Sequence, residues 1–446
     1  MRINSILKIR SLVFLFLFSI IYTGNAQDKK STKTINSLSD YSFIGTGYGF
    51  LTEPSTPAPG VYKPYVPDLT GWSEDDVINV TSSSQLSSLL GNGSSINGKI
   101  LVVADGTYSI KKSLSYLKNV TIIAKNKWKA KITGAGPNFQ LDGSTTNIQY
   151  VNIIGFNAVG NGDGGSDQTT NSNIFIRAAG KSKNVGINHF YISDMKFSNY
   201  ALTLYTSLHS HDITVDKTYH YNSTWSYLWY MMGWHHAVIN SVMYNNSYYS
   251  LAIRGCFPMN ESYSHDSPVI ASRSSHFLAA DDWTQMIVNN TFGSNYKYFR
   301  KSTSHISLYY NKTEGDHNKE DIYFPPQNIV IANNVFIDKG DTHKTAVKVM
   351  ASRGINTGAV DAVNGITVKN NYINVSTLLT KGDYSLSSID ISTCKTNVSS
   401  FGFDDTNRDY TITSSSTLAN SGTSSPYAPI VDMDGNYRAG NPPARW

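Results

Sequence analysis

The sequence predicts an all-β solenoid, and three observations carry that expectation. A short pattern of apolar residues, then Asn or a stand-in, then an aromatic keeps returning: YISDMKF (191–197), ITVDKTY (213–219), AVINSVMY (237–244), MIVNNTF (286–292), IVIANNVF (329–336) and GITVKNNYI (365–373). Marked at the polar residue before the aromatic, Asp194, Lys217, Ser241, Asn290, Asn334 and Asn371 differ by 23, 24, 49, 44 and 37 residues. Most of these spacings are one or two multiples of roughly 22 to 24, a solenoid period. The segments between are rich in β-branched and aromatic residues, with Asn and Gly at the corners and almost no helical periodicity. A coil of that length has too little apolar surface to fold alone, so it buries its inward side chains against the coils above and below. Stacked corner asparagines can also hydrogen-bond along the stack, satisfying turn amides that would otherwise be unpaired. Asn290, Asn334 and Asn371 are therefore expected at equivalent corners of about nine to eleven coils.

Taken in order, the chain begins with MRINSILKIR, which carries one Lys and two Arg, followed by SLVFLFLFSIIY and a small-residue site near Ala26. That is the layout of a secretory signal peptide over residues 1–26, because the apolar run is too short to span a bilayer. The expectation is a secreted protein, periplasmic or extracellular, monomeric and without membrane insertion. No Cys lies near the cleavage region, which argues against a bacterial lipoprotein anchor. The formal charge of +5 includes three positive charges of the leader, so the mature chain carries about +2 and gives no electrostatic reason to expect nucleic acid. With 29 Tyr and 7 Trp against 15% charged residues, the composition suits hydroxyl-rich ligands, whose sugar faces stack on rings. The plainer reading is that Tyr favours strands.

Residues 27–75 hold the Pro-rich run EPSTPAPGVYKPYVPDL, which cannot donate regularly to a ladder and reads as an extended strap or a linker. Residues 76–375 form the solenoid domain. It opens with VINVTSSSQLSSLLGNG (77–93), a strand and then a short capping helix with an N-cap near Ser83 and Leu86, Leu89 and Leu90 on one face. A lid of this kind covers the apolar end and open strand edge of the first coil. Next come KILVVADGTYSI (99–110) and NVTIIAKNKWKAKITG (119–134). An ADGTY turn followed by an N-V-T-I-x-A strand ending in I-T-G resembles the opening coils of secreted right-handed parallel β-helix polysaccharide lyases. That superfamily includes pectate lyases and the alginate and dermatan-sulfate lyases of polysaccharide lyase family six. The resemblance covers residues 77–134, and the later coils share its repeat style. It implies a right-handed parallel β-helix that cleaves a uronic-acid polysaccharide by β-elimination, with an alginate-like substrate favoured and a Lys or Arg as base.

The loop GNGDGGSDQTTNSN (160–173) interrupts the coils. Asp163 and Asp167 offer oxygen ligands suited to calcium, at a spacing that fits no regular calcium loop; the alternative is an inserted loop. Residues 376–446 form a C-terminal strap and end cap, closing in PIVDMDGNYRAGNPPARW, whose D-x-D-G-N-Y-R piece resembles the closing segment of exported β-helix proteins. Cys256 and Cys394, separated by 138 residues, can pair only if this tail runs back along the outside of the coils.

Chemistry is expected on one stacked sheet made from ALTLYTS, WSYLWYMM, YSLAIRG, PVIASRSSHF and YKYFRKS. Its outward residues would be Tyr205, Tyr227, Trp229, Arg254, Arg273 with His276, and Arg300 with Lys301. With Glu261 marking a coil around MNESYSHD, Arg254 and Arg273 would stand at one position on adjacent coils. Two such charges repel and need an anionic partner, either a protein carboxylate or a polyanionic ligand. β-Elimination beside a carboxylate needs that charge neutralised, a base, and an acid for the leaving oxygen. Arg254 and Arg273 suit the first role, His276 the base, and Tyr227 or Tyr263 the acid. Lys217 is a second candidate base, since a desolvated Lys flanked by positive charge has a lowered pKa; the plainer reading pairs it with Asp216. His235 and His236 face opposite ways on a strand and cannot easily share one metal. The rival functions are a glycoside hydrolase using Asp266, Asp281 and Asp282, and a non-catalytic carbohydrate-binding or adhesion solenoid.

Overall fold

The computed structural model describes residues 64–67, 72–134, 136–141, 148–162, 173–178, 187–206, 210–222, 227–233, 235–246, 249–253, 285–294, 304–309, 328–338, 344–350, 366–380, 389, 391–413, 415–419, 421–422 and 433. Their strands form three all-parallel sheets of ten, nine and nine strands, here sheets 1, 2 and 3, and the chain visits each in turn. After the lead-in strand Val77–Val80 this makes nine coils of a right-handed parallel β-helix. The helix Ser83–Gly91 closes the first coil, with Ser82, one residue before the expected cap, accepting from the Gln85 amide at 3.2 Å. Leu86 and Leu90 enter the same core as Leu101 and Leu114.

Two rows of residues make the corner between sheets 1 and 2. The outer row, Gly155, Asp194, Lys217, Asn240, Asn289, Asn333 and Asn370, lies entirely at positive φ, between 48° and 86°. That left-handed turn explains the Asn, since Asn and Gly adopt it at least cost. The inner row runs Met195, Thr218, Ser241, Asn290, Asn334 and Asn371. Asn290, Asn334 and Asn371 do occupy equivalent corners: Asn334 Oδ1 accepts from the Asn290 amide at 2.9 Å, and Asn371 Oδ1 from the Asn334 amide at 2.9 Å. Asp194 and Lys217, however, belong to the outer row, so the sequence markers mix two rows one residue apart. Cys394 continues the inner row, donating its thiol to the Val368 carbonyl at 3.6 Å, while Cys256 lies outside the described residues.

The larger spacings are also corrected. Strand His236–Ile239 pairs directly with Gln285–Val288, and that strand with Ile329–Ala332, so 49 and 44 residues are single coils with insertions and not two coils each. The coil expected around Glu261, and with it the placing of Arg254 and Arg273, lies outside the described residues. After Leu251–Ile253, the next strand of sheet 3 is Ser304–Tyr309, following YKYFRKS and not within it.

Segments from both ends of the chain pack outside the coils. Trp72 and Tyr65 pack on the outer face of sheet 1, against residues that include Ile100, Val102 and Tyr191. Phe401 and Leu418 pack on Val335, Ile337 and Tyr372 outside sheet 2.

The inner face of sheet 2 stacks Phe197, His220, Met243, Phe292 and Phe336 in one row. His220 is fully buried, and neither ring nitrogen has a hydrogen-bond partner among the described residues. Burial pushes its pKa down to about 3. The folded state therefore holds His220 neutral while the unfolded chain takes up a proton below pH ~6.5, so stability falls with pH from there toward about 3, by up to ~1.4 kcal/mol per unit. His220→Phe, which continues the phenylalanine stack, is expected to raise stability by about 1–3 kcal/mol and to flatten that slope. Urea midpoints at neutral pH and at pH about 4.5 check both, and an unchanged slope refutes the assignment.

Candidate active site

Of the residues expected to form one groove, the side chains of Tyr205, Trp229 and Lys217 are described, and these do not share a face. Trp229 points into the core in a row with Leu204, Leu251 and Ile306, and its Nε1 donates to Thr206 Oγ1 at 3.1 Å. Placing it outside mistook the phase of the strand, where a shift of one residue reverses a side chain. Tyr205 is on the outer face of sheet 3, stacked on Tyr230 with ring centres 5.1 Å apart. Strand Tyr227–Met231 lies in that sheet, but the Tyr227 side chain is outside the described residues. Arg254, Tyr263, Arg273, His276, Arg300 and Lys301 are outside them too, as are Asp163, Asp167, Asp266, Asp281 and Asp282.

Lys217 occupies the outer corner row at φ 53°, where the other coils use Gly, Asp or Asn. Its Nζ lies 3.5 Å from Asp194 Oδ2 and 3.6 Å from Asp216 Oδ2. Asp194 also binds Lys127 at 2.7 Å and accepts from Ser193 Oγ at 2.8 Å. Asp216 accepts from the Tyr191 hydroxyl at 2.7 Å and from Asn240 Nδ2 at 3.1 Å. Burial works against the Lys217 charge, yet Tyr191, Asp216 and Asp194 together hold its ammonium above the ordinary lysine range. An ammonium held this way has no lone pair for a proton, so Lys217 is the cation of a buried network and not the expected base.

A lysine with a lowered pKa stands one coil earlier and two residues on. Lys196, in strand Lys196–Ser198, projects from the outer face of sheet 2 with its Nζ 3.8 Å from the Trp128 ring centre and 5.8 Å from that of Tyr219. Burial, and then the positive charge of Lys127, lower its pKa from the ordinary lysine value. Trp128 is fixed over two coils, donating its amide to the Gly155 carbonyl at 2.6 Å and its Nε1 to the Asp194 carbonyl at 2.6 Å. It meets Tyr219 edge-on with ring centres 5.8 Å apart.

From this corner a row of cations and rings extends along the outside of sheet 2. Register aligns Lys131, Asn157, Lys196, Tyr219 and Val242, a length of about 19 Å at the spacing of stacked strands. Beside it run Ser198, Tyr221 and Tyr244, the two tyrosine rings parallel to within 4° at 5.2 Å. The C-terminal tail closes the far end: Arg408 sits 5.0 Å from the Tyr244 ring and bridges Asp405 at 3.1 Å. Lys131, Asn157, Lys196, Tyr219, Tyr221 and Tyr244 are all half-buried, so the face is reachable and already part-desolvated. Sequence reasoning missed Lys196 and Trp128. A signal was present, since Lys196 stands 23 residues before Tyr219, one coil period.

A second polar cluster, His189, His211 and Asp212, lies at the opposite edge of sheet 1, its donor atoms within 4.8 Å of one another. As expected, His235 and His236 diverge: His236 is buried against Trp229, and His235 turns outward toward Asp212.

No family model matches the chain, and no curated protein matches it. Solved structures similar to it at low identity are found. The A-module of the Azotobacter vinelandii mannuronan C-5 epimerase AlgE6 is 10% identical, with 72% of this chain and 97% of that chain covered and a TM-score of 0.35. A Yersinia enterocolitica family 28 exopolygalacturonase is 11% identical over 74% and 65%, with a TM-score of 0.39. A mannuronic acid specific polysaccharide family 6 lyase from human gut microbiota is 13% identical over 68% and 66%, with a TM-score of 0.33.

Proposed function

We propose that the chain is an exported polysaccharide lyase that cleaves a uronic-acid polymer, alginate-like in preference, by β-elimination on the outer face of sheet 2. The observation that carries this reading is Lys196, the lysine of that face whose pKa is lowered, seated between Trp128 and Tyr219 in a row of cations and rings. Trp128, Tyr221 and Tyr244 offer stacking surfaces for sugar faces. Lys131 and Arg408 offer positive charge to uronate carboxylates, which disperses the charge that develops when the neighbouring C–H is broken. In the reaction, neutral Lys196 takes the C5 proton, the electron pair forms the C4–C5 double bond, and the bond from C4 to the glycosidic oxygen breaks. The Tyr219 hydroxyl protonates the departing oxygen, and solvent returns the proton from Lys196 to Tyr219 after release. No metal is needed for these proton transfers, and calcium enters only as a question of the assay.

The test is incubation with alginate, pectate, hyaluronan and dermatan sulfate, with and without chelator. The expected result is new ultraviolet absorbance from the unsaturated uronate on at least one of them. New reducing ends without that absorbance would make the chain a hydrolase, and neither product would make it a binding solenoid.

A further inference from the structure

Three residues exactly one coil apart in sequence, His189, Asp212 and His235, share a row along the leading edge of sheet 1, each at a φ of 52° or 53°. The left-handed turn at Asp212 breaks strand alternation, so His211 and Asp212, though adjacent, turn to the same side, with His211 Nδ1 2.7 Å from Asp212 Oδ2. His235 Nδ1 approaches Asp212 Oδ1 at 3.4 Å from the next coil, and His189 Nε2 approaches Asp212 Oδ2 at 3.7 Å from the preceding one. Three imidazoles thus converge on one carboxylate from three consecutive coils.

The His189 ring is held in place independently of Asp212. It stacks on Tyr150 with ring centres 4.4 Å apart, and Tyr65 meets it edge-on at 5.2 Å. Asn188 Oδ1 lies 2.9 Å from His189 Nδ1, and a carbonyl oxygen can only accept, so Nδ1 carries the proton. Nε2 then faces Asp212 Oδ2 at 3.7 Å, pairing with it when the ring is protonated and offering a ligand lone pair on the same side when it is neutral. A carbonyl fixing the tautomer of a histidine whose other nitrogen faces a carboxylate is the outer support that metal-binding histidines use. Donors of a tetrahedral ion with bonds of ~2.0–2.1 Å stand about 3.3 Å apart, so the 3.7 Å pair would close slightly and the 2.7 Å pair would open on binding.

We propose that His189, His211 and Asp212, with His235 at their side, form a binding site for one divalent transition-metal ion of the zinc class. Imidazole-dominated donors with a single carboxylate suit zinc and its neighbours and not calcium or magnesium, which take oxygen ligands. The ion would tie two consecutive coils together along the edge of sheet 1, with His235 of the next coil held on Asp212, and fix the Tyr65 segment that packs on His189. The site is separate from the Lys196 face and does not depend on the reaction assigned there.

The test uses untagged protein, stripped with chelator and dialysed, and titrated with Co2+ and then Zn2+. The expected result is one ion per chain, visible Co2+ absorption displaced by Zn2+, and a melting midpoint that rises with Zn2+ concentration. Asp212→Asn and His189→Ala should each weaken binding by about 100-fold or more, and Asn188→Ala, which leaves every ligand in place, by about 10- to 100-fold. Lys196→Met should leave it unchanged. Absence of a one-equivalent site, parental affinity in Asp212→Asn, or binding of Ca2+ in preference to Zn2+ would each overturn the proposal.

Discussion

Lys196→Met is expected to keep the fold and to lower formation of unsaturated product by about 10²- to 10⁴-fold, the range for losing a positioned general base. Methionine retains an unbranched apolar stem over Trp128, so the packing that holds the ring survives. Lys196 is a surface residue with no carboxylate within salt-bridge distance among the described residues, and its loss should shift stability by no more than about 0.5 kcal/mol. Lys196→Arg separates two roles. If the side chain only neutralised a substrate carboxylate, arginine would restore activity, since its charge is permanent. If Lys196 is the base, arginine fails, because a guanidinium does not lose its proton in the working range. The same logic sets the pH profile. The base must be neutral, so turnover should rise with pH through a value below that of an ordinary lysine. Full activity in Lys196→Met, measured per folded molecule, would remove this residue from the site.

Asn334→Leu is the second large effect, and it acts on the fold. Asn334 is fully buried, and its Oδ1 accepts from the Asn290 amide at 2.9 Å and from Asn290 Nδ2 at 3.1 Å. Its Nδ2 donates to the Ile287 carbonyl at 2.9 Å and to Asn371 Oδ1 at 3.0 Å. Leucine has nearly the same shape and removes all four bonds, leaving their partners inside the stack without water. Each stranded group costs about 1–3 kcal/mol, and because the groups relax together the expected loss is about 3–5 kcal/mol. Against a typical total of about 5–15 kcal/mol this is a large fraction. Denaturant unfolding at neutral pH measures it, and a midpoint within error of the parent would mean that the ladder contributes nothing to stability.

The sequence by itself determined the coil, the N-terminal lid, and the corner row of Asn290, Asn334 and Asn371, because each rests on a local rule. Strand chemistry repeats along the chain, a Ser cap precedes three leucines at helical spacing, and Asn is the residue that both turns left-handed and bonds along a stack. Register was the first thing beyond its reach. ITVDKTY and AVINSVMY carry their aromatics at different distances from the corner, and strand pairing shows that Asp194 and Lys217 share a row with Asn240 and not with Ser241. The same single-residue ambiguity put Trp229 outside when it is in the core. Coil counting failed for a related reason: a 49-residue interval reads as two periods until strands on either side are seen to bond directly.

Electrostatic roles were also decided by the tertiary structure. Lys217 and Lys196 are both lysines before an aromatic, with an Asp one or two residues earlier in the sequence. What separates them is the neighbouring coil. Lys217 receives two carboxylates and a tyrosine, which keep it charged, whereas Lys196 receives a tryptophan face and Lys127, which favour its neutral form. Except for Asp216, which is adjacent to Lys217, those neighbours lie a coil or more away in sequence, brought near by the spacing of stacked strands, and charge interactions depend on distance in space. The period that places His189, Asp212 and His235 on one row was legible in the chain. That their side chains converge depends on left-handed turns at each of the three, which only the folded corner reveals.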